Sequence, residues 1–227
     1  VTARDGEFWR DGQPWTFVGT NLSYLSKLPL EAIDEAFADL AADGVTVVRT
    51  WILPGHDLDH LDQALALGRK YNLRFVVTFD DFWHIDRRQD LFGDTYRQAY
   101  EAHVRRVVSR LKDRPEVFMW QLMNEPSCGP EGMSAECRAR MVAWAEAGAK
   151  LVRSQDTCRP LAVGLQGIWV PDAVQEGHFA RMARIPGVDT MTLHRAAGND
   201  FDDLLKRHMG VVLDGKMPLV WGEIYEK

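Results

Sequence analysis

Apolar residues along this chain fall into short unbroken runs, separated by longer stretches in which they recur every three or four positions. The runs Val117-Phe118-Met119-Trp120-Gln121-Leu122-Met123 and Pro218-Leu219-Val220-Trp221-Gly222 have the character of strands covered on both faces, because a strand with one wet face would alternate. Gly6 to Trp15 does alternate, around Asp11-Gly12, and predicts a short β-hairpin. Strands are then expected over Thr16–Asn21, Val45–Trp51, Arg74–Phe79, Val117–Met123, Arg159–Gly164, Val188–Leu193 and Leu219–Gly222. Helical spacing fills the intervals: Leu30–Ala42, Leu58–Tyr71, Thr95–Leu111, Ser134–Arg153, Val174–Arg184 and Phe201–Leu213.

Strict alternation of strand and helix predicts an α/β fold, a parallel sheet with helices outside it. A doubly wound sheet would carry a glycine-rich phosphate loop after its first strand. The residues there are Gly19-Thr20-Asn21-Leu22-Ser23, which match neither phosphate-loop pattern. Polar and aromatic residues instead mark the C-terminal ends of the strands: Asn21, Arg49 and Trp51, Asp80 and Asp81, Asn124 and Glu125, His194, and Glu223. A (β/α)8 TIM barrel builds its site there, and that is the expected fold. No linker or composition break divides residues 1–227, so one domain is expected, with no eighth βα unit visible after Glu223.

Composition narrows the partners. The 227 residues are 46 % hydrophobic and 26 % charged, with a net charge of -6 and no basic block. This disfavours nucleic acid and anionic membranes, which reward positive charge. No segment has the length of a membrane span, and Val1 to Asp5 is not a signal peptide. Cys128 and Cys137 flank a Gly/Pro-rich loop and could close a disulfide or stay reduced, while Cys158 makes the count odd. His56 and His60 read as a turn leading into a helix. Asp80, Asp81 and His84 read as a hydrogen-bonded loop, and no metal site is expected. Trp120 and Trp144 are assigned to the core, and His103, His178 and His208 to packing or the surface.

Two strand-like runs each deliver one carboxylate, Glu125 after Asn124 and Glu223 after Gly222. Cleaving a glycosidic bond needs such a pair, one group as the acid and the other ionised and facing the sugar carbon. With Phe17-Val18-Gly19-Thr20-Asn21, Val48-Arg49-Thr50-Trp51 and Asn124-Glu125-Pro126-Ser127-Cys128, the chain resembles the retaining glycosidases of clan A. It is most similar to glycoside hydrolase family 5, and within it to the endo-β-1,4-mannanases.

The resemblance implies roles. Glu125 would be the acid/base and Glu223 the nucleophile. Asn124 would bind the sugar 2-hydroxyl, and Arg49 would hold the nucleophile ionised. His194 matches the family's active-site histidine, Trp51, Trp83 and His84 would line the cleft, and Asn21 joins the substrate-binding candidates. The negative charge of Glu223, with burial, is expected to keep a proton on Glu125. Ala196 stands where the family has a tyrosine. The implied activity is a retaining endo-β-glycosidase on a plant-wall β-glycan, β-1,4-mannan first, needing no cofactor and working outside the cell, where such polymers lie. A β-1,4-glucanase and a catalytically weak carbohydrate-binding barrel are the alternatives.

Overall fold

The computed structural model describes residues 1–84, 92–128, 134–165, 173–195 and 217–224, with positions 173–176, 193, 195, 221, 223 and 224 described by backbone alone. It opens with an antiparallel sheet of β1 (Thr2–Arg4), β2 (Glu7–Arg10) and β3 (Gln13–Pro14). Both turns have positive φ at their two central residues, Asp5-Gly6 and Asp11-Gly12, as tight hairpins require. The hairpin expected at Asp11-Gly12 is thus one of two.

Parallel strands follow in chain order: β4 (Gly19–Asn21), β5 (Val47–Trp51), β6 (Arg74–Thr78), β7 (Val117–Gln121), β8 (Leu161–Ala162), β9 (Met191–Arg195) and β10 (Leu219–Ile224). β4 to β8 form one sheet in that order, and a parallel bridge from Ala162 to Thr190 leads on to the β9–β10 pair. The order never reverses, as it would at the switch point of a doubly wound sheet. Asn21, Val47, Arg49, Val76, Met119, Thr192 and Gly222, drawn from β4, β5, β6, β7, β9 and β10, line a single cavity of about 270 Å³. The sheet therefore curls around its own inner face, as a barrel does.

Helices α1 (Leu30–Ala42), α2 (Leu58–Gly68), α3 (Asp94–Leu111), α4 (Ala135–Arg153) and α5 (Ala173–Ala183) follow β4 to β8 in turn. Among the described residues, no helix is long and apolar enough to cross a membrane. In α3, Val104, Val107, Val108 and Leu111 are buried, the spacing of one helical face turned to the sheet. Local sequence sets the boundaries. Asp57 caps α2 by accepting from the amides of Asp59 and His60, and Ser134 caps α4 by accepting from that of Cys137. Gly44, at φ +82°, ends α1, with the Val45 amide reaching back to the Leu40 carbonyl.

The N-terminal sheet covers the bottom of the barrel. Phe8, Trp15 and Phe17 gather around Phe118, with ring centroids 5.9, 5.3 and 5.4 Å from it. Phe118 is free to serve there because β7 bulges at this point: Phe75 pairs with Val117 and Val76 already with Met119. The resulting cluster includes Val47, Val76, Ala162 and Val220.

Several expected bounds shift. β4 and β8 are shorter than their apolar runs, and β8 gives way to Gly164 at φ +96°. β9 and β10 run further than expected, so that His194 and Glu223 lie within strands rather than just beyond them. The expected helix over Phe201–Leu213 falls outside the described residues, as do Ala196 and His208.

Candidate active site at the mouth of the barrel

After β7 the chain turns sharply at Glu125, whose φ of 49° is left-handed. A non-glycine residue pays about 1–2 kcal/mol for that conformation. The fold imposes it through paired backbone: the Glu125 amide donates to the Gly164 carbonyl over 2.9 Å, and the Met123 amide to the Val163 carbonyl over 3.2 Å. The crossing is so close that a Cβ on Gly164 would lie 1.8 Å from the Met123 carbonyl oxygen. Strain concentrated on one acidic residue at the mouth is a mark of functional sites.

The Glu125 carboxylate is buried and held at both oxygens. His194 Nδ1 lies 2.5 Å from Oε1, and the Trp83 indole Nε1 donates to Oε2 over 2.6 Å. Burial raises its pKa most strongly, but the bond and charge of His194, the Trp83 bond and the charge of Arg49 together bring it below the usual glutamate value. The described surroundings therefore favour the carboxylate, contrary to the expectation of a proton-bearing Glu125. The group expected to raise it, the Glu223 carboxylate, lies outside the described atoms.

Position 223 is placed by its backbone. Trp221 pairs with Leu193 and Glu223 with His194, so Gly222 is the extra residue of a bulge. Val220 and Gly222 both line the central cavity. The bulge shifts the pairing by one residue and brings 223 into register with His194. Glycine is needed at 222 because a Cβ there would sit 2.7 Å from His194 Nε2.

Beneath these groups lies a buried polar network. Arg49 donates through Nε to Gln121 Oε1 over 2.8 Å and through Nη2 to Asn124 Oδ1 over 2.7 Å. Gln121 also accepts from the Thr78 hydroxyl over 2.7 Å and donates to that of Thr192 over 3.1 Å. Asn124 donates to Asp81 Oδ1 over 3.0 Å, and Asp81 Oδ2 lies 2.7 Å from His84 Nδ1 and 3.3 Å from the Tyr24 hydroxyl. Asp80 accepts from the Tyr96 hydroxyl over 2.9 Å, and burial, its main perturbation, pushes its pKa up to about 6.

Glu125, Asn124, Arg49, His194, Trp83 and His84 thus belong to one connected set. Trp83 is 51 % exposed and presents its indole beside the acid. Trp51, at 3 % exposure, packs with its ring 4.3 Å from the Arg49 guanidinium carbon and offers no open face to a sugar. Asn21 uses its amide on the Gly222 carbonyl, over 3.1 Å. Gln121 and Tyr24 are parts of the site that sequence reasoning did not place there, and Asp81 was placed on this face only as a loop acid. Gln121 had one signal, a polar residue inside an otherwise apolar run. Cys128 and Cys137 form a disulfide that ties the Glu125 loop to the first turn of α4, and Cys158 is free and exposed.

Comparison with known proteins meets this geometry from outside. Residues 81–155, a third of the chain, match a family model of glycoside hydrolase 42, described as beta-galactosidase. Over 83 % of its length the chain is 25 % identical to mannan endo-1,4-beta-mannosidase 8 of Oryza sativa subsp. japonica. Over 89 % it is 26 % identical to mannan endo-1,4-beta-mannosidase 7 of Arabidopsis thaliana. The chain resembles the endo-1,4-β-mannanases. It spans 66 % and 59 % of the length of these two curated relatives.

The same likeness appears in three dimensions. The endo-1,4-beta-mannanase from Rhizomucor miehei superposes with a TM-score of 0.83 at 19 % identity, covering 99 % of this chain and 81 % of that one. The endo-beta-1,4-mannanase from Thermotoga petrophila gives 0.78 at 14 % identity, over 94 % and 62 %. At these identities the mannanase likeness carries the fold alone, a TIM-type α/β barrel, of which seven parallel strands lie among the described residues. Among the described residues, no group of three His, Cys, Asp or Glu side chains is placed to hold a metal ion. The chemistry available at the mouth is that of a carboxylate clasped by an imidazole and an indole.

Proposed function

We propose that this protein is a retaining endo-β-glycosidase of plant-wall β-glycans, with β-1,4-mannan as its polymer. One observation carries the reading: Glu125 is clasped by His194 and Trp83 while Glu223 stands in register with the same His194 on the adjoining strand. Double displacement needs two carboxyl groups about 5–5.5 Å apart. In the first half, Glu223 attacks the anomeric carbon and Glu125 protonates the departing oxygen. The proton resides on Glu125 because the ionised Glu223 opposes a second negative charge nearby.

Once Glu223 is bound to the sugar, its charge is gone. The bonds from His194 and Trp83 then favour the Glu125 carboxylate, the form that takes a proton from water in the second half. Asn124 donates to the 2-hydroxyl of the reacting sugar, and exposed Trp83 offers an apolar face to a neighbouring ring. The Cys128–Cys137 bridge suits an oxidising compartment, as secretion to an insoluble substrate requires. Glu125→Ala and Glu223→Ala, assayed on mannan, glucomannan and carboxymethylcellulose, test the reading. Each should abolish release of reducing ends from mannan, and wild-type activity in both variants would overturn it.

A further inference from the structure

Asp81 takes no part in the reaction as written, yet it touches Asn124, Trp83, His84 and Tyr24. It is 5 % exposed and lies just beyond β6, joined to Asn124 by a parallel bridge. The Asn124 amide is held from two sides: Arg49 Nη2 donates to its Oδ1 over 2.7 Å, and its Nδ2 donates to Asp81 Oδ1 over 3.0 Å. A guanidinium can only donate and an ionised carboxylate can only accept. Only one orientation of the amide satisfies both partners, whichever way an isolated asparagine would turn. Among the described residues the second hydrogen on Nδ2 has no partner, and it is left for a ligand.

We infer that Asp81 is a positioning residue that acts through Asn124, locking the amide so that it presents a donor to the 2-hydroxyl of the reacting sugar. The inference rests on the proposed glycosidase reading. The same Oδ1 accepts from the Trp83 amide over 3.2 Å, and Oδ2 is engaged by His84 and Tyr24. The lock is therefore braced on the loop that also brings the Trp83 indole to Glu125. Bonds to the 2-hydroxyl strengthen as the transition state forms, so release of the lock should appear in kcat more than in KM.

The test uses the whole chain and aryl β-glycosides of a β-1,4-mannooligosaccharide, with and without the 2-hydroxyl on the reacting sugar. Asp81→Leu should lower kcat on the hydroxylated substrate about ten- to a hundredfold, the scale of a misplaced contact. On the 2-deoxy analogue it should stay within about twofold of wild type, and adding it to Asn124→Ala should cause no further loss, as expected of residues acting as a unit. Asp81→Asn keeps the shape and one acceptor, so it should fold if Asp81→Leu does not, and lose activity severalfold on the hydroxylated substrate alone. Equal losses on the two substrates, or additive losses with Asn124→Ala, would overturn the role of Asp81. A wild-type protein that cleaves neither substrate would overturn the glycosidase reading, and this inference with it.

Discussion

The side-chain amide of Asn21 on β4 donates to the main-chain carbonyl of Gly222 on β10 over 3.1 Å, across 201 residues of sequence. This bond ties the two strands together at the height of the site and steadies the carbonyl that precedes Glu223. Asn21→Ala should reduce stability by about 0.5–1.5 kcal/mol, the usual worth of such a bond. Asn21→Asp should be worse, because a carboxylate faces a carbonyl oxygen with no proton to share. Denaturant midpoints of the three proteins, measured beside kcat on mannan, check the order.

Two glycines should fail in different ways. Gly164→Ala forces a Cβ to 1.8 Å from the Met123 carbonyl oxygen at a φ of +96°, and backbone on both sides leaves nowhere to go. Loss of stability of about 2 kcal/mol or more is expected, in the upper range for single substitutions, and a thermal melt reads it. Gly222→Ala brings a Cβ to 2.7 Å from the edge of the His194 ring, with Thr192 Cβ at an ordinary 3.4 Å. The ring shifts, the fold survives, and kcat falls at least about tenfold.

Trp83→Phe removes the indole N–H that favours the Glu125 carboxylate. The Glu125 pKa should rise, since one of the bonds holding it down is gone. On the proposed mechanism the acid form of Glu125 is required, so the alkaline limb of the kcat/KM profile should move to higher pH. A limb that stays in place or moves down would count against the acid role.

Asp80 binds a proton more tightly folded, near pH 6, than at its ordinary value of 3.8. Between those values the native state holds more protons than the unfolded chain, so stability falls as pH rises through this window. The span corresponds to about 3 kcal/mol. Asp80→Asn should flatten that part of the curve, which melting temperatures from pH 4 to pH 7 would show.

The fold was legible because helical and strand periods alternate from Thr16 onward, and because Asp11-Gly12 states its own turn. The ends of β9 and β10 were not. Composition does not reveal that Gly222 is an extra residue in a pleat, since the bulge shows only in the pairing of β10 with β9. The site was legible where a residue type has few other reasons to stand at a strand end, as with Asn124 and Glu125. It was illegible where roles depend on neighbours. Trp51 had the right position for a sugar platform, yet the Arg49 guanidinium occupies its ring. Asp81 was visible as a loop acid, but its bond to Asn124 joins the ends of two different strands.

Glu125 keeps its main chain in a twist that only glycine adopts at ease. Mutational drift at that codon therefore has a downhill direction. On the proposed reading, a lineage that replaced the acid with glycine would relax its backbone and keep the groove, exchanging a blade for a grip.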